Sequence, residues 1–131
     1  KINIKLEYFR DDLLQEENKI PIVNFDANLK DIIYMISSKR LGCTCVVKKN
    51  KVVGIITDGD IRRMLADRDI LTDVTAQDVM TKNPKMIASN AMVIDAFNIL
   101  EDNAITQIVV ADEGEYKGIL HLHDILKEGI V

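Results

Sequence analysis

Apolar residues along the chain change their spacing in a fixed order, and the order occurs twice. Short apolar stretches, IPIV at 20–23 and PKMI at 84–87, each lead into a segment whose apolar residues recur at three and four positions. Those residues are Leu29, Ile32, Ile33 and Ile36 in one segment and Val93, Ala96, Phe97 and Leu100 in the other. Such spacing predicts a helix with one buried face. Asp26 and Asn90 stand ahead of the helices as N-cap candidates. The helices are expected to end near Gly42 and Asn103, residue types that tolerate a left-handed cap. Two apolar strands then flank a polar turn, KKNK or DEGE, and a second helix starts near Asp58 or His123. Each unit thus predicts strand, helix, strand, strand, helix.

The two units align without a gap. Residues 28–65 lie over 92–129 at a constant offset of 64, pairing Asp31 with Asp95, Val46 with Val110, Gly54 with Gly118, Ile55 with Ile119, Asp60 with Asp124 and Ile61 with Ile125. Apolar classes agree at many other positions, a pattern hard to reach by chance. One unit of about 50 residues buries too little surface to stand alone. Two related by a pseudo-twofold can pack sheet against sheet into one core. The expected fold is α+β, with two β-α-β-β-α repeats at 20–70 and 78–131 joined by a connector at 71–77.

Composition narrows the function classes. The 131 residues carry 47% hydrophobic and 29% charged side chains with a net charge of −4 and 5% aromatics. Neither a basic groove nor a base-stacking platform is evident, so no nucleic acid partner is expected. No apolar run approaches the roughly 18 residues of a membrane span, so no membrane partner is expected either. The start, KINIKLEYFRDD, has no methionine and no apolar signal, and reads as part of a longer protein. Cys43 and Cys45, two apart on a strand, share a face but cannot readily bridge, and read as small buried apolar residues in a reducing cytoplasm.

Chemistry concentrates where the last strand of each unit runs into a helix. There, backbone N–H groups and the helix dipole favour an anion. The first unit places GIITDGDI there, with Thr57 and Asp60; the second places GILHLHDI, with His121, His123 and Asp124. A His-x-His on a strand puts both imidazoles on one face, which suits a metal, an anion or a sugar. A closed metal site needs a third and fourth ligand, and only Asp124 is near, so no metal is assigned. Thr57 and Asp60 also have the spacing of a capping box, which can coexist with ligand contact. Arg62 and Arg63 follow, either solvated or within reach of a phosphate.

These residues resemble the paired CBS domain, or Bateman module. In that family a glycine, two apolar residues, Thr or Ser, two further residues and Asp hold an adenosine nucleotide, the Asp on ribose hydroxyls and the hydroxyl beside the phosphates. The resemblance carries those roles to Gly54, Thr57 and Asp60. The second unit has Gly118 and Asp124 but His121 in place of the hydroxyl. From residue 20 onward, GIITDGDIRRML, DVMTKNP and LHLHDILKEGIV look like the CBS pair of the D-arabinose 5-phosphate isomerases, cytoplasmic enzymes on the route to the sugar acid Kdo of lipopolysaccharide or capsule.

The resemblance implies that an upstream sugar isomerase domain carries the chemistry, with residues 1–19 as its linker. No catalytic residue and no activity are assigned to this chain alone, and no cofactor is required. The expected effector is a nucleotide or nucleotide sugar, AMP-like or CMP-Kdo, held by Thr57, Asp60, His121, His123 and Asp124. Self-association into a CBS dimer is also expected. The alternatives are a pair that only oligomerises its parent, a generic AMP or ATP sensor, and a metal or redox sensor acting through His and Cys.

Overall fold

The computed structural model describes residues 21–39, 42–69 and 71–127; the linker expected at 1–19 lies outside them. They form two compact units, Pro21–Pro84 and 85–127. The first contains β1 (Ile22–Asn24), α1 (Leu29–Lys39), β2 (Cys43–Lys48), β3 (Lys51–Thr57), α2 (Asp58–Asp67), α3 (Ala76–Val79) and β4 (Thr81–Lys82). The second contains β5 (Met86–Ile87), α4 (Val93–Asp102), β6 (Gln107–Asp112), β7 (Glu115–His121) and α5 (Leu122–Lys127). The class is α+β, and the predicted order of elements recurs in both units.

The repeat extends to the hydrogen-bond register. β1 pairs parallel to β2 with Ile22 opposite Cys45, and β5 pairs parallel to β6 with Met86 opposite Val109, the same partners displaced by 64. β2 and β3 are antiparallel from Cys43–Thr57 to Lys48–Lys51, as β6 and β7 are from Gln107–His121 to Asp112–Glu115. Even the irregularity repeats. Val46 pairs with Gly54 but Val47 with Val52, leaving Val53 extra; Val110 pairs with Gly118 but Ala111 with Tyr116, leaving Lys117 extra. A bulge of this kind bends the strand and pins its register. Both hairpins turn through two residues of positive φ, Lys49 (52°) and Asn50 (66°), and Glu113 (54°) and Gly114 (85°). That backbone matches the right-handed twist of the flanking strands.

Each unit has its own apolar cluster at matching positions. Ile32, Ile36, Val46 and Ile56 are buried in the first, and Ala96, Leu100, Val110 and Leu120 in the second. Ile33, assigned to the buried face of α1, is instead 42% exposed, because Ile32 and Ile36 already point at the core. α3 packs on the first unit: Ala76 is in its core, and the Ala76 and Gln77 N–H groups donate to the Ala27 and Phe25 carbonyls.

The helix caps differ from expectation. Asn28, not Asp26, caps α1, its Oδ1 accepting from the Asp31 N–H at 2.8 Å. Asp26 accepts from the Asn24 side chain instead. Met92, not Asn90, holds the equivalent position ahead of α4, with extended backbone and no side-chain cap. Asn90 lies in a turn closed by the Ala91 N–H on the Ala88 carbonyl. At the far end of α4, Asn103 has φ −101°, and Ala104 takes the left-handed conformation at φ 52°. The Ile105 and Ala104 N–H groups donate to the Leu100 and Glu101 carbonyls, a Schellman closure. Gly42 does have positive φ, 70°. The second helices start at Asp58 and Leu122, the latter one residue before the expected His123.

Candidate ligand-binding site

Thr57 ends β3 and is the N-cap of α2, its backbone extended at φ −110° and ψ 168°. Its hydroxyl accepts from the Asp60 N–H at 3.2 Å, and the Asp60 Oδ2 accepts from the Thr57 N–H at 2.9 Å. This closes the capping box foreseen from the spacing and satisfies two otherwise orphaned donors. The carboxylate is nonetheless more than an N3 side chain. Asp60 is only 9% exposed, and its Oδ1 accepts from the Arg63 guanidinium and from the Thr81 hydroxyl at 3.4 Å. Thr81, on β4, reaches the site from 21 positions along the chain; no local signal in the sequence marks it. Gly54 belongs here too: a Cβ on it would lie 2.5 Å from the Met80 sulfur and 2.9 Å from the Thr81 carbonyl oxygen. Its bare backbone lets β4 and Thr81 approach β3.

In the second unit the frame is the same and the cap is different. The Leu122 N–H donates to the Thr106 carbonyl at 2.8 Å, as the Asp58 N–H donates to that of Gly42 at 3.0 Å. His121 occupies the place of Thr57, and its Nδ1 accepts from the His123 N–H at 3.0 Å. An imidazole that accepts at Nδ1 is neutral and carries its proton on Nε2, which leaves that N–H for another partner. Burial holds the His121 pKa below the usual histidine range; the Asp124 carboxylate opposes this and His123 adds to it.

The shared strand face expected for the two histidines does not form. His121 is the last residue of β7 and His123 already belongs to α5, so the helical turn rotates the second ring away. The ring centres stand 6.4 Å apart at 81°, with His123 exposed. Among the described residues, no three His, Cys, Asp or Glu side chains are grouped to hold a metal ion. Asp124 is partly buried, third in α5 as Asp60 is third in α2. The structure thus brings Thr57 and Asp60 into contact, and joins His121 to the backbone of His123. Cys43 and Cys45 are buried free thiols whose pKa values are pushed up to about 12, by burial first and then by the Asp58 charge on Cys43 and by Cys43 on Cys45. A thiol so held is not a nucleophile near neutral pH, which argues against redox sensing.

The CBS domain family model matches residues 12–67 and 76–130. The chain belongs to the CBS domain family and carries two copies of the domain. It is similar to the arabinose 5-phosphate isomerases KdsD of Francisella tularensis, 38% identical over 128 residues, and of Yersinia pestis, 36% identical over 121 residues. Those alignments cover 97% and 92% of this chain but 38% and 37% of the relatives, so the chain spans a little over a third of their length. Among solved structures, CBSX2 in complex with AMP superposes with a TM-score of 0.78 at 18% identity, over 97% of this chain and 96% of that one. At that identity the likeness concerns the fold. No helix among the described residues is long and apolar enough to cross a membrane.

Proposed function

We propose that this chain is the ligand-sensing CBS pair of a cytoplasmic arabinose 5-phosphate isomerase, acting on an isomerase domain upstream of it. Its ligand is a nucleotide or nucleotide sugar such as CMP-Kdo, the activated end product of the route. The observation that carries the reading is the Asp60 carboxylate, held almost out of solvent where β3 enters α2 and positioned by Thr57 and Thr81. The similarity to KdsD over nearly the whole chain supports the parent enzyme. That CBSX2 has been solved with AMP supports the nucleotide class. In this reading Asp60 or Asp124 accepts from hydroxyls. Thr57 lies by the phosphate, and His121 and His123 donate to anionic or hydroxyl groups of the sugar acid, His121 through Nε2.

Calorimetry with CMP-Kdo, CMP and AMP on the native chain and on His121→Ala and His123→Ala tests it. Loss of a buried polar contact costs about 1–3 kcal/mol, so CMP-Kdo binding should weaken roughly ten- to a hundredfold. CMP-Kdo binding no better than AMP, or unchanged affinity in both variants, would rule the histidines out as ligand contacts. A second role, self-association, is favoured by apolar side chains left outside the cores: Ile33, Tyr34 (69% exposed) and Leu65 on α1 and α2, and Leu126 on α5. Light scattering that finds a monomer at high concentration would exclude it.

A further inference from the structure

The surroundings of Asp60 contain a competitor for any ligand hydroxyl. Four donors converge on its two oxygens: the Thr57 N–H and hydroxyl on Oδ2, at 2.9 and 3.1 Å, and the Thr81 hydroxyl and Arg63 guanidinium on Oδ1. A carboxylate has about four lone-pair sites, so none remains for a ribose hydroxyl unless a donor leaves. The Thr57 N–H is fixed by the end of β3. On Oδ1 the Thr81 hydroxyl is the longer contact, at 3.4 Å, but its residue is carried by β4; Arg63 is the donor free to swing into solvent, because its side chain is 70% exposed and its ion pair is screened by water. The site also makes room for it. A Cβ on Gly59 would stand 3.3 Å from one terminal nitrogen of Arg63 and 3.7 Å from the other, so the guanidinium lies against bare backbone in the first turn of α2.

We infer that Arg63 is an exchangeable latch that makes this site prefer phosphorylated ligands over nucleosides. The inference rests on the nucleotide-binding reading above. A ribose hydroxyl displaces the guanidinium from Asp60, and the freed guanidinium pairs with the ligand's phosphate, whose geometry it matches bidentately. A nucleoside displaces the latch and offers it nothing in return. At the matching positions of the second repeat, His123 stands for Gly59 and Lys127 for Arg63. The ledge that admits the guanidinium there carries an imidazole, and the device belongs to the first repeat alone.

The test titrates AMP, adenosine, CMP and cytidine into the native chain and into Arg63→Gln and Arg63→Lys, both changes at an exposed side chain outside the Thr57–Asp60 cap. In Arg63→Gln the monophosphate-to-nucleoside affinity ratio should fall roughly tenfold, the value of one charge-assisted contact, with nucleoside affinity equal to native or higher. Arg63→Lys keeps the charge without the fork and should restore part of the ratio. A ratio unchanged in Arg63→Gln overturns the latch and leaves nucleotide binding intact. If neither monophosphate binds the native chain better than its nucleoside, the latch is also wrong; binding of CMP-Kdo in the earlier titration then still upholds the broader reading.

Discussion

Replacing Gly54 by Ala should destabilise the first unit far more than a change of one methyl group suggests. Gly54 sits in β3 opposite Val46 on β2 and Lys82 on β4, and its added Cβ meets the Met80 sulfur at 2.5 Å, Met80 Cγ at 2.8 Å and the Thr81 carbonyl oxygen at 2.9 Å. Distances under 3.0 Å require something to shift. Met80 has rotamers to escape into, but the carbonyl is backbone, paired in the β3–β4 ladder, and cannot move without moving β4. Overpacking of this kind costs about 1–3 kcal/mol, and the fixed carbonyl puts this case near the top of that range. At roughly 4 °C per kcal/mol for a chain of this size, the melting temperature should drop by about 8–12 °C. Urea unfolding gives the free energy directly. A double-mutant cycle with Met80→Ala separates the two clashes: the pair should couple by about 0.5 kcal/mol or more, because the second change removes the sulfur and Cγ but not the carbonyl. Gly54→Ala within about 0.5 kcal/mol of native, or strict additivity with Met80→Ala, would refute the close approach of β4 as the reason for glycine here.

The His121 cap predicts a pH effect of definite sign. Its folded pKa lies below the unfolded value near 6.5, so the unfolded chain binds more protons between the two values; this contribution to stability is complete above about pH 6.5 and falls away below it. His121→Asn, a pH-independent cap, should flatten that part of the stability profile, and an NMR titration of the native imidazole with a midpoint at or above 6.5 would contradict the assignment. Cys43 and Cys45 should resist a thiol reagent at pH 8 in the native chain and both react once it is unfolded in urea; rapid native labelling would mean the strand opens. Asp112 accepts from the Ser89 N–H at 2.9 Å and hydroxyl at 2.6 Å, tying the end of β6 to the loop after β5. Asp112→Ala should therefore cost about 1–2 kcal/mol in urea unfolding, and Ser89→Ala, which leaves the backbone bond, less.

What was legible in the sequence was whatever the repeat itself encodes. Apolar periodicity located the first long helix of each unit, because a buried face at Ile32 and Ile36, or Ala96 and Leu100, has no cheaper arrangement. The capping box at Thr57 and Asp60 was readable because a cap is local, three residues apart on one turn. The errors have a common cause. Asp26 and Asn90 fit a cap by residue type alone, whereas tertiary packing starts the helices two residues later, where one unit has Asn28 and the other Met92. Nothing in HLHD says where the strand stops, so the sequence reads as one strand carrying both histidines; the helix begins between them. Thr81 was invisible since it meets Asp60 only through the pairing of β4 with β3. Gly54 gave a motif letter but not its reason, which is the carbonyl lying against it.

The differences between the two units then become informative, because the frame that carries them does not vary. Strand register, bulge position, turn conformation and the carbonyl that receives the first helical N–H all recur at an offset of 64. A position inside that frame that changes chemistry shows that neither residue type alone is required to build it. Two such pairs stand out. The loop after the first strand is held by Lys48 over the Phe25 ring, 4.8 Å from its centre, in one unit and by Asp112 on Ser89 in the other; both simply fasten the loop, and the exchange is structurally neutral. Thr57, Gly59 and Arg63 against His121, His123 and Lys127 is of another kind. In the first unit Thr57 and Arg63 both bond the Asp60 carboxylate, and in the second an imidazole supplies the cap. Two imidazoles and a lysine are not required to start a helix of six described residues, since the Thr57 hydroxyl and the Asp60 carboxylate start the other one. The exchange therefore changes the chemistry offered at that junction while the strand register and the bond that opens the helix stay as they are.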